Sequence, residues 1–145
     1  MPTESFVEKL VEMREFIEPA AAAAAAMRRT PEQLAELRQA YDAMSAATDL
    51  DDWAEADLAF HETLLRATNN ELMASLFSVI ETALGTFFLL SARNSANFKA
   101  ALPHHEKVYE AVRRRQPEVA RQAMWKMVAA SRRNIAGRGR RAKSA

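Results

Sequence analysis

An aspartate and a histidine interrupt an otherwise apolar helical stripe, and their types and spacing point to chemistry. Asp57 and His61 are four residues apart, so both side chains project from the same face of an α-helix. A carboxylate that faces a protein interior is costly unless it is paired or bound to a metal ion. This face is therefore expected to border a polar cavity rather than a dry core. The stripe consists of Leu50, Trp53, Asp57, Phe60, His61, Leu64 and Thr68.

A second histidine, His105, is expected to point into the same interior. A turn at Gln116 and Pro117 joins two predicted helices, and residues equally distant from the turn of an antiparallel hairpin lie level with each other. His105 lies eleven residues before Gln116 and Met127 lies eleven after it, so these two side chains should be neighbours. Two imidazoles and a carboxylate are a familiar ligand set for zinc, nickel, manganese or iron. The residues leave two alternatives open, an internal Asp–His ion pair and a hydrogen-bonded core histidine.

The composition favours one all-α domain. The chain has 145 residues, of which 49% are hydrophobic, and it contains three glycines, five prolines and no cysteine. The lack of cysteine excludes disulfides and thiolate metal sites. A formal net charge of +1 argues against a general polyanion binder. Because basic residues crowd the C-terminus, we expect a helical domain over residues 1–136 and a basic, disordered tail over residues 137–145.

The sequence gives no sign of a membrane or secretory location. The longest uncharged run in the middle of the chain, residues 82–92, falls short of the roughly 18 apolar residues that cross a bilayer. The N-terminus is acidic and lacks the charged-then-apolar order of a signal peptide. No membrane association is therefore expected, and the cytoplasm is the expected location.

Hydrophobic periodicity predicts six helices and no strands. Thr30, Pro31 and Gln33 form the pattern of an N-cap, a first-turn proline and a capping box at the start of the second helix. Pro19 is expected to kink the first helix or divide it in two. The fourth helix is apolar on most sides and is expected to be central. The first helix should present Phe6, Leu10, Met13 and Ile17 inward, and the six helices should span roughly residues 3–28, 31–46, 50–68, 71–93, 98–115 and 117–135.

Five stretches, taken in order along the chain, carry a family resemblance. They are VEMREFIEP with the alanine tract that follows (11–26), DLAFHETLL (57–65), ATNN (67–70), HHEKVYEAV (104–112) and EVARQAM (118–124). Together they resemble the effector-binding domain of GntR-type bacterial transcription regulators, the FadR C-terminal (FCD) class. The resemblance implies an antiparallel bundle of six to seven helices with a central ligand cavity, and a homodimer.

The same resemblance implies a DNA-binding partner domain and a metal site. In such regulators a winged helix-turn-helix domain precedes the effector domain. Because residues 1–5 lead straight into the first predicted helix, we expect this chain to be a fragment or a stand-alone sensor domain, with operator DNA as a partner only through the preceding domain. Members that bind a metal hold it through an aspartate, a histidine four residues later and two further histidines. The matching positions are Asp57, His61, His105 and Met127. Because a thioether is a poor ligand for these divalent ions, either three protein ligands hold the metal, with water or effector oxygens completing its coordination, or the site holds none.

Further side chains are candidates for binding an acidic effector. Arg14 lies at the edge of the inward face of the first helix, where a guanidinium can clamp a carboxylate, and the alternative is a surface pair with Glu18. Ser91 and Arg93 end the fourth helix and are also candidates, whereas His104 is expected to face outward. We expect a ligand-sensing domain, not an enzyme, that binds a small organic acid (a sugar acid or 2-hydroxy acid) through a divalent metal. The alternatives are a metal-free sensor or dimerisation module with a degenerate site, and a small metal-dependent hydrolase.

Overall fold

In a computed structural model, which describes the backbone of residues 3–144 and the side chains of residues 3–135, the chain is a bundle of six α-helices. No strand occurs in this part of the chain, so the predicted all-α class and the number of helices are confirmed. The helices are α1 (Glu4–Arg28), α2 (Pro31–Ala46), α3 (Leu50–Arg66), α4 (Glu71–Arg93), α5 (Leu102–Arg113) and α6 (Pro117–Ser144), and a short 3₁₀ helix (Phe98–Ala101) precedes α5.

Polar side chains fix the starts of the helices, as the sequence predicted. The Thr30 hydroxyl accepts a hydrogen bond from the backbone N–H of Gln33, whose side chain accepts one from the backbone N–H of Thr30. Pro31 takes the first helical position, where its missing N–H has no helical partner to lose. Asp49 and Asn70 cap α3 and α4 by accepting hydrogen bonds from first-turn N–H groups. These caps fix where each helix begins and therefore which residues it turns inward.

Helix α1 buries Leu10 as predicted, but the other predicted inward residues lie at the edge of the bundle or in solvent. Phe6 is 45% exposed, and Met13 and Ile17 are only partly buried at the edge of a cluster with α4. The bundle interior is polar at this level, so the charged residues take the inward positions that the hydrophobic pattern assigned to others. The helix also runs unbroken through Pro19, so the predicted division is wrong. The buried face comprises Val7, Leu10, Val11, Arg14, Glu18, Pro19, Ala21, Ala22, Ala23, Ala25 and Ala26.

Helix α4 is less central than its composition predicted. Leu72 is 79% exposed and Val79 is 81% exposed, although Phe77, Phe87 and Phe88 on the opposite face are buried. Among the described helices, α4 is also long and apolar enough to cross a membrane, contrary to the sequence-based expectation. A single helix that passes this test is weak support for a membrane span, because a core helix can pass it as well. The exposed apolar stripe of α4 is instead a candidate surface for contact with another molecule.

The C-terminal helices differ from the prediction in their bounds. The predicted fifth helix is two elements, and Pro103 lies in the first turn of α5, where the sequence allowed a true helix start. Helix α6 continues to Ser144 rather than ending near residue 135, so its backbone is helical over most of the range predicted as a disordered tail. A glycine in a helix costs about 1 kcal/mol relative to alanine, so the two glycines in this range are compatible with a continuous helix. The last residue of the chain lies outside the described residues.

The packing of the helices brings polar residues together between two apolar clusters. Helix α1 packs along α6, α3 lies against α2 and α4, and α5 packs against α6 and α2. One cluster, around Trp53 and Phe60, includes residues of all six helices, and the other, around Phe87 and Phe88, joins α1, α3 and α4. His61 touches both, because its ring contacts Phe60 edge-on and stacks on Phe88.

Candidate metal and effector site

Asp57, His61 and His105 converge in the interior of the bundle, as predicted. Helix α3 supplies the first two from successive turns and α5 supplies the third, and all three are buried. Oδ1 of Asp57 lies 3.1 Å from Nε2 of His61 and 2.8 Å from Nε2 of His105. Ligands held about 2.0–2.2 Å from a zinc ion lie roughly 3–3.5 Å from one another. All three donor atoms lie within 4.8 Å of one another, so the geometry is compatible with a single metal ion.

Hydrogen bonds orient both imidazole rings in the same way. Nδ1–H of His105 donates to the backbone carbonyl of Ala101 over 2.7 Å, and Nδ1–H of His61 donates to the Glu18 carboxylate. In each ring, Nε2 is therefore the nitrogen that faces Asp57. Among the described residues, Nε2 of His61 has no hydrogen-bond partner of suitable geometry. A buried histidine with its Nδ1–H donated and its Nε2 free is in the orientation that metal-binding histidines adopt.

Glu18 belongs to this site, although the sequence did not identify it. One of its carboxylate oxygens, Oε2, accepts a hydrogen bond from Nε of Arg14 over 2.5 Å, and Oε1 accepts one from His61. The Arg14–Glu18 pair that the sequence left open therefore forms, but Arg14 is 2% exposed and Glu18 is 5% exposed, so it is buried rather than at the surface. A signal was present, because Val7, Val11, Arg14 and Glu18 follow one another at intervals of four, three and four residues, which is the period of a single helix face.

The guanidinium of Arg14 is held between aromatic rings with part of its hydrogen-bonding capacity unused. Its central carbon lies 4.8 Å from the ring centre of Phe87 and 4.9 Å from that of Phe88. Nη1 is buried and has no hydrogen-bond partner among the described residues. An unpaired buried donor on a charged group is costly, so the N–H groups of this nitrogen are suited to donate hydrogen bonds to an oxygen of an anionic guest.

Charges of opposite sign alternate through the site. Burial opposes the ionisation of Glu18, but Arg14 and His61 outweigh it and lower its pKa to about 2. Burial also favours neutral His61, yet the neighbouring carboxylates of Glu18 and Asp57 raise its pKa to about 9. Burial would raise the pKa of Asp57, but the neighbouring His105 and His61 hold it well below its usual range. Without a metal, His61 is therefore a cation between two carboxylates at neutral pH.

The site borders a cavity of about 200 Å³. Pockets for drug-sized ligands span about 300–1,000 Å³, so this volume suits a smaller guest. Helices α1, α3, α4, α5 and α6 all contribute to its wall, so a guest would contact most of the bundle. The polar groups in the wall include those of Arg14, Asp57, His61, Ser91, His105 and Ser131.

The comparison with known families agrees with this helical architecture. Residues 9–130 match the family described as the FCD domain. The chain belongs to the FCD domain family. This match covers the helices that supply Arg14, Asp57, His61 and His105, so the site described above lies within the FCD domain itself.

Two curated relatives of this FCD domain are transcription regulators. It is 30% identical over 131 residues to the galactonate operon transcriptional repressor of Escherichia coli (strain K12), which covers 89% of this chain and 57% of the repressor. It is also 30% identical over 112 residues to the HTH-type transcriptional regulator LutR of Bacillus subtilis (strain 168), which covers 73% of this chain and 51% of LutR. The chain thus spans about half the length of these relatives. Neither is described as an enzyme, in agreement with the expectation for this chain.

A solved structure shares the fold of this FCD domain. The Streptococcus agalactiae GntR structure superposes with a TM-score of 0.75 at 26% sequence identity, over 88% of this chain and 58% of that one. The all-α FCD fold that the sequence resemblance implied is therefore confirmed.

The remaining predicted residues of the FCD domain do not all reach the cavity. Ser91 and Met127 are buried and border it. Arg93 is exposed and does not border it, so the prediction that Arg93 contacts the effector is wrong for this cavity. Residues two positions apart on a helix project in nearly opposite directions, so Ser91 and Arg93 cannot both face inward. His104, expected to face outward, is only partly exposed and borders the cavity.

The donor set of this FCD domain fits a divalent metal ion with open coordination positions. One carboxylate and two imidazoles suit zinc, iron and similar ions. Nε2 of His105 is within hydrogen-bond distance of Asp57, at 2.8 Å, which is the internal pair that the sequence left open. The observation that favours a metal is the convergence of three donor atoms within 4.8 Å of one another. Met127 borders the same cavity but offers only a soft thioether sulfur. The site therefore supplies three protein ligands suited to a divalent metal ion rather than four.

Proposed function

We propose that this FCD domain is the ligand-sensing domain of a GntR-type transcription regulator and that it binds a small organic acid. The observation that carries the proposal is the pairing, in one cavity, of an unpartnered guanidinium nitrogen of Arg14 with a three-residue metal-ligand set. An organic acid with a hydroxyl group next to its carboxylate matches both features, because its carboxylate can pair with the guanidinium and its oxygens can bind the metal. The relative named for the galactonate operon supports a sugar acid as the first candidate.

A divalent metal is part of this proposal. Oδ1 of Asp57 and Nε2 of His61 and His105 would hold it, and zinc, nickel, manganese or iron suits these donors. When bound, such an ion attracts the carboxylate and hydroxyl oxygens of a 2-hydroxy acid. Arg14 would bind the remaining carboxylate charge through Nη1, while its Nε stays bonded to Glu18.

In the full-length regulator, the bound acid would act through the helices. The cavity wall draws on five of the six helices, so a guest has different contacts in different arrangements of the bundle. A ligand shifts an equilibrium only through such a difference in affinity. The regulator would contact operator DNA through an N-terminal winged helix-turn-helix domain and act in the cytoplasm.

A homodimer through α4 completes the proposal. Its exposed apolar stripe includes Leu72 and Val79, and between Leu72 and Ala92 the only charged residue is Glu81. The small side chains of Thr82 and Ala83, at the middle of the helix, would let a second copy approach closely around a twofold axis. A second copy of the chain is therefore the occupant that we propose for this stripe.

Titration calorimetry on zinc-loaded and metal-stripped protein tests the sensing function. We expect galactonate or a simpler 2-hydroxy acid such as lactate to bind the loaded protein, and to bind the stripped protein more weakly. Arg14→Met should abolish binding, whereas Arg93→Met removes an exposed arginine of α4 and should leave binding unchanged. If no acid of the panel binds in either state, the sensing function is refuted.

Met127 favours a second candidate, a metal-free sensor. A buried thioether borders the position where a fourth ligand would stand, and burial of the Asp57 carboxylate is already balanced by two histidines. In that case the acid would bind equally well to metal-stripped protein, and the same calorimetry would show it.

A further inference from the structure

Glu18 contacts two side chains of the proposed site. It is buried on α1, and its two carboxylate oxygens bind different functional side chains. One oxygen accepts from Nδ1–H of His61 on α3, and the other accepts from Nε of Arg14 on its own helix. Both partners in turn border the cavity. A single side chain therefore connects the proposed metal ligand to the proposed anion clamp.

The unused atoms of both partners lie on the side away from Glu18. Nε2 of His61 and Nη1 of Arg14 are buried and have no hydrogen-bond partner among the described residues. A neutral histidine that donates Nδ1–H carries its lone pair on Nε2, where a metal can bind in place of a proton, and such outer contacts also make the ring a stronger ligand. For His105 the corresponding contact is a backbone carbonyl, which no substitution can remove, so Glu18 is the contact of this kind that can be tested.

We propose that Glu18 is a positioning residue, which holds His61 and Arg14 so that Nε2 and Nη1 face the cavity. It does not touch the metal or the acid but acts through the two side chains that do. This inference rests on the proposed function, because it assigns His61 to a metal and Arg14 to an anion.

The test uses a background in which loss of Glu18 leaves no buried charge unpaired. Arg14→Met removes the cation that Glu18 balances, and Glu18→Met or Glu18→Gln is then added to it. Glu18→Met removes the acceptor for Nδ1–H of His61, whereas Glu18→Gln keeps an oxygen that can accept it. Glu15→Met is the matched control, because Glu15 lies on the same helix but pairs with Arg132 near the surface.

Zinc affinity, measured by competition with a chelator, is the first readout. Loss of an outer-shell contact typically weakens metal binding by about 10- to 100-fold. We expect that loss for Arg14→Met/Glu18→Met relative to Arg14→Met, recovery of most of the affinity in Arg14→Met/Glu18→Gln, and wild-type affinity for Glu15→Met. Far-ultraviolet circular dichroism confirms that each variant is helical.

Solvent exchange of the Nδ1 proton of His61, followed in ¹⁵N-edited spectra of the metal-free protein, is the second readout. The proton should be protected in the wild type and in the Glu18→Gln variant and should exchange rapidly in the Glu18→Met variant. A glutamate that stabilised the fold without bonding His61 would not produce this difference between the variants. The chain has three histidines, so single substitutions assign the signal.

The outcomes separate this inference from the proposed function. If wild-type protein binds zinc and Glu18→Met does not weaken it in the Arg14→Met background, the positioning role is refuted while the metal site stands. If the wild type binds no zinc, the metal part of the proposed function fails, and protection of the Nδ1 proton alone decides whether Glu18 orients His61. Loss of protection without loss of zinc affinity also overturns the inference, because the contact would then have no effect on the ligand.

Discussion

The free energy of unfolding of the metal-free protein should fall as the pH rises through the pKa of His61. That pKa is about 9 in the folded protein against 6.5 for the free side chain. Glu18 and Arg14 face His61 from α1, Asp57 faces it from the same helix, and His105 faces it from α5. A group with a raised pKa contributes stability that is fully present below the unfolded value and is lost as the pH rises to the folded value. Each pKa unit corresponds to about 1.4 kcal/mol, so the expected loss is about 3 kcal/mol.

Urea unfolding in the presence of a chelator, at about pH 6 and about pH 9, measures this loss. His61→Gln should be less stable at both values but should lose much less between them, since it lacks the titrating group. Saturating zinc should also remove most of the fall, because the metal takes the place of the proton on Nε2. If wild-type stability is the same at both pH values, or if His61→Gln loses as much as the wild type, then the charged His61 network between two carboxylates is not present in solution.

Three further predictions concern separate parts of the molecule. Met127→His should tighten zinc binding by on the order of 100-fold, because four ligands together provide roughly 10–16 kcal/mol in structural zinc sites and a fourth ligand adds about a quarter of that. Unchanged affinity in the chelator competition would mean that position 127 does not face the metal. Val79→Lys should convert a dimer into a folded monomer in analytical ultracentrifugation, and a wild-type monomer would refute the α4 interface. Thr30→Ala removes the capping box of α2 and should lower the unfolding free energy by about 1 kcal/mol in urea titrations, with Thr48→Ala as an exposed control outside the helices; equal effects of the two would contradict the capping role.

Local signals in the sequence were sufficient to predict the helices and part of the site. Capping residues such as Thr30 and Asp49 act within one turn, so they could be recognised without knowledge of the fold. Asp57 and His61 share a helix, and their spacing alone places them on one face. His105 could be placed because a short turn fixes the register of α5 and α6, which brings positions of known distance from the turn together.

Features that depend on packing between distant helices could not be predicted in the same way. The inward face of α1 was assigned from its apolar residues, but the partners of Glu18 lie partly on α3, so the polar face is recognised only when both helices are in place. For α4, apolar composition predicted a central position, although composition cannot distinguish burial in the core from burial against another molecule. Ser91 and Arg93 both end α4, but the helical period turns them in nearly opposite directions, so only Ser91 faces inward.

Anomalous diffraction at the zinc absorption edge, from crystals of the wild-type protein grown with zinc, tests the central claim most directly. We expect one strong peak per chain inside the bundle, about 2.0–2.2 Å from a carboxylate oxygen of Asp57 and from Nε2 of His61 and His105. The peak should be absent in Asp57→Ala crystals grown under the same conditions. A cavity without anomalous density in the wild type, or zinc bound only at the surface, would contradict the assignment of these three side chains to a metal.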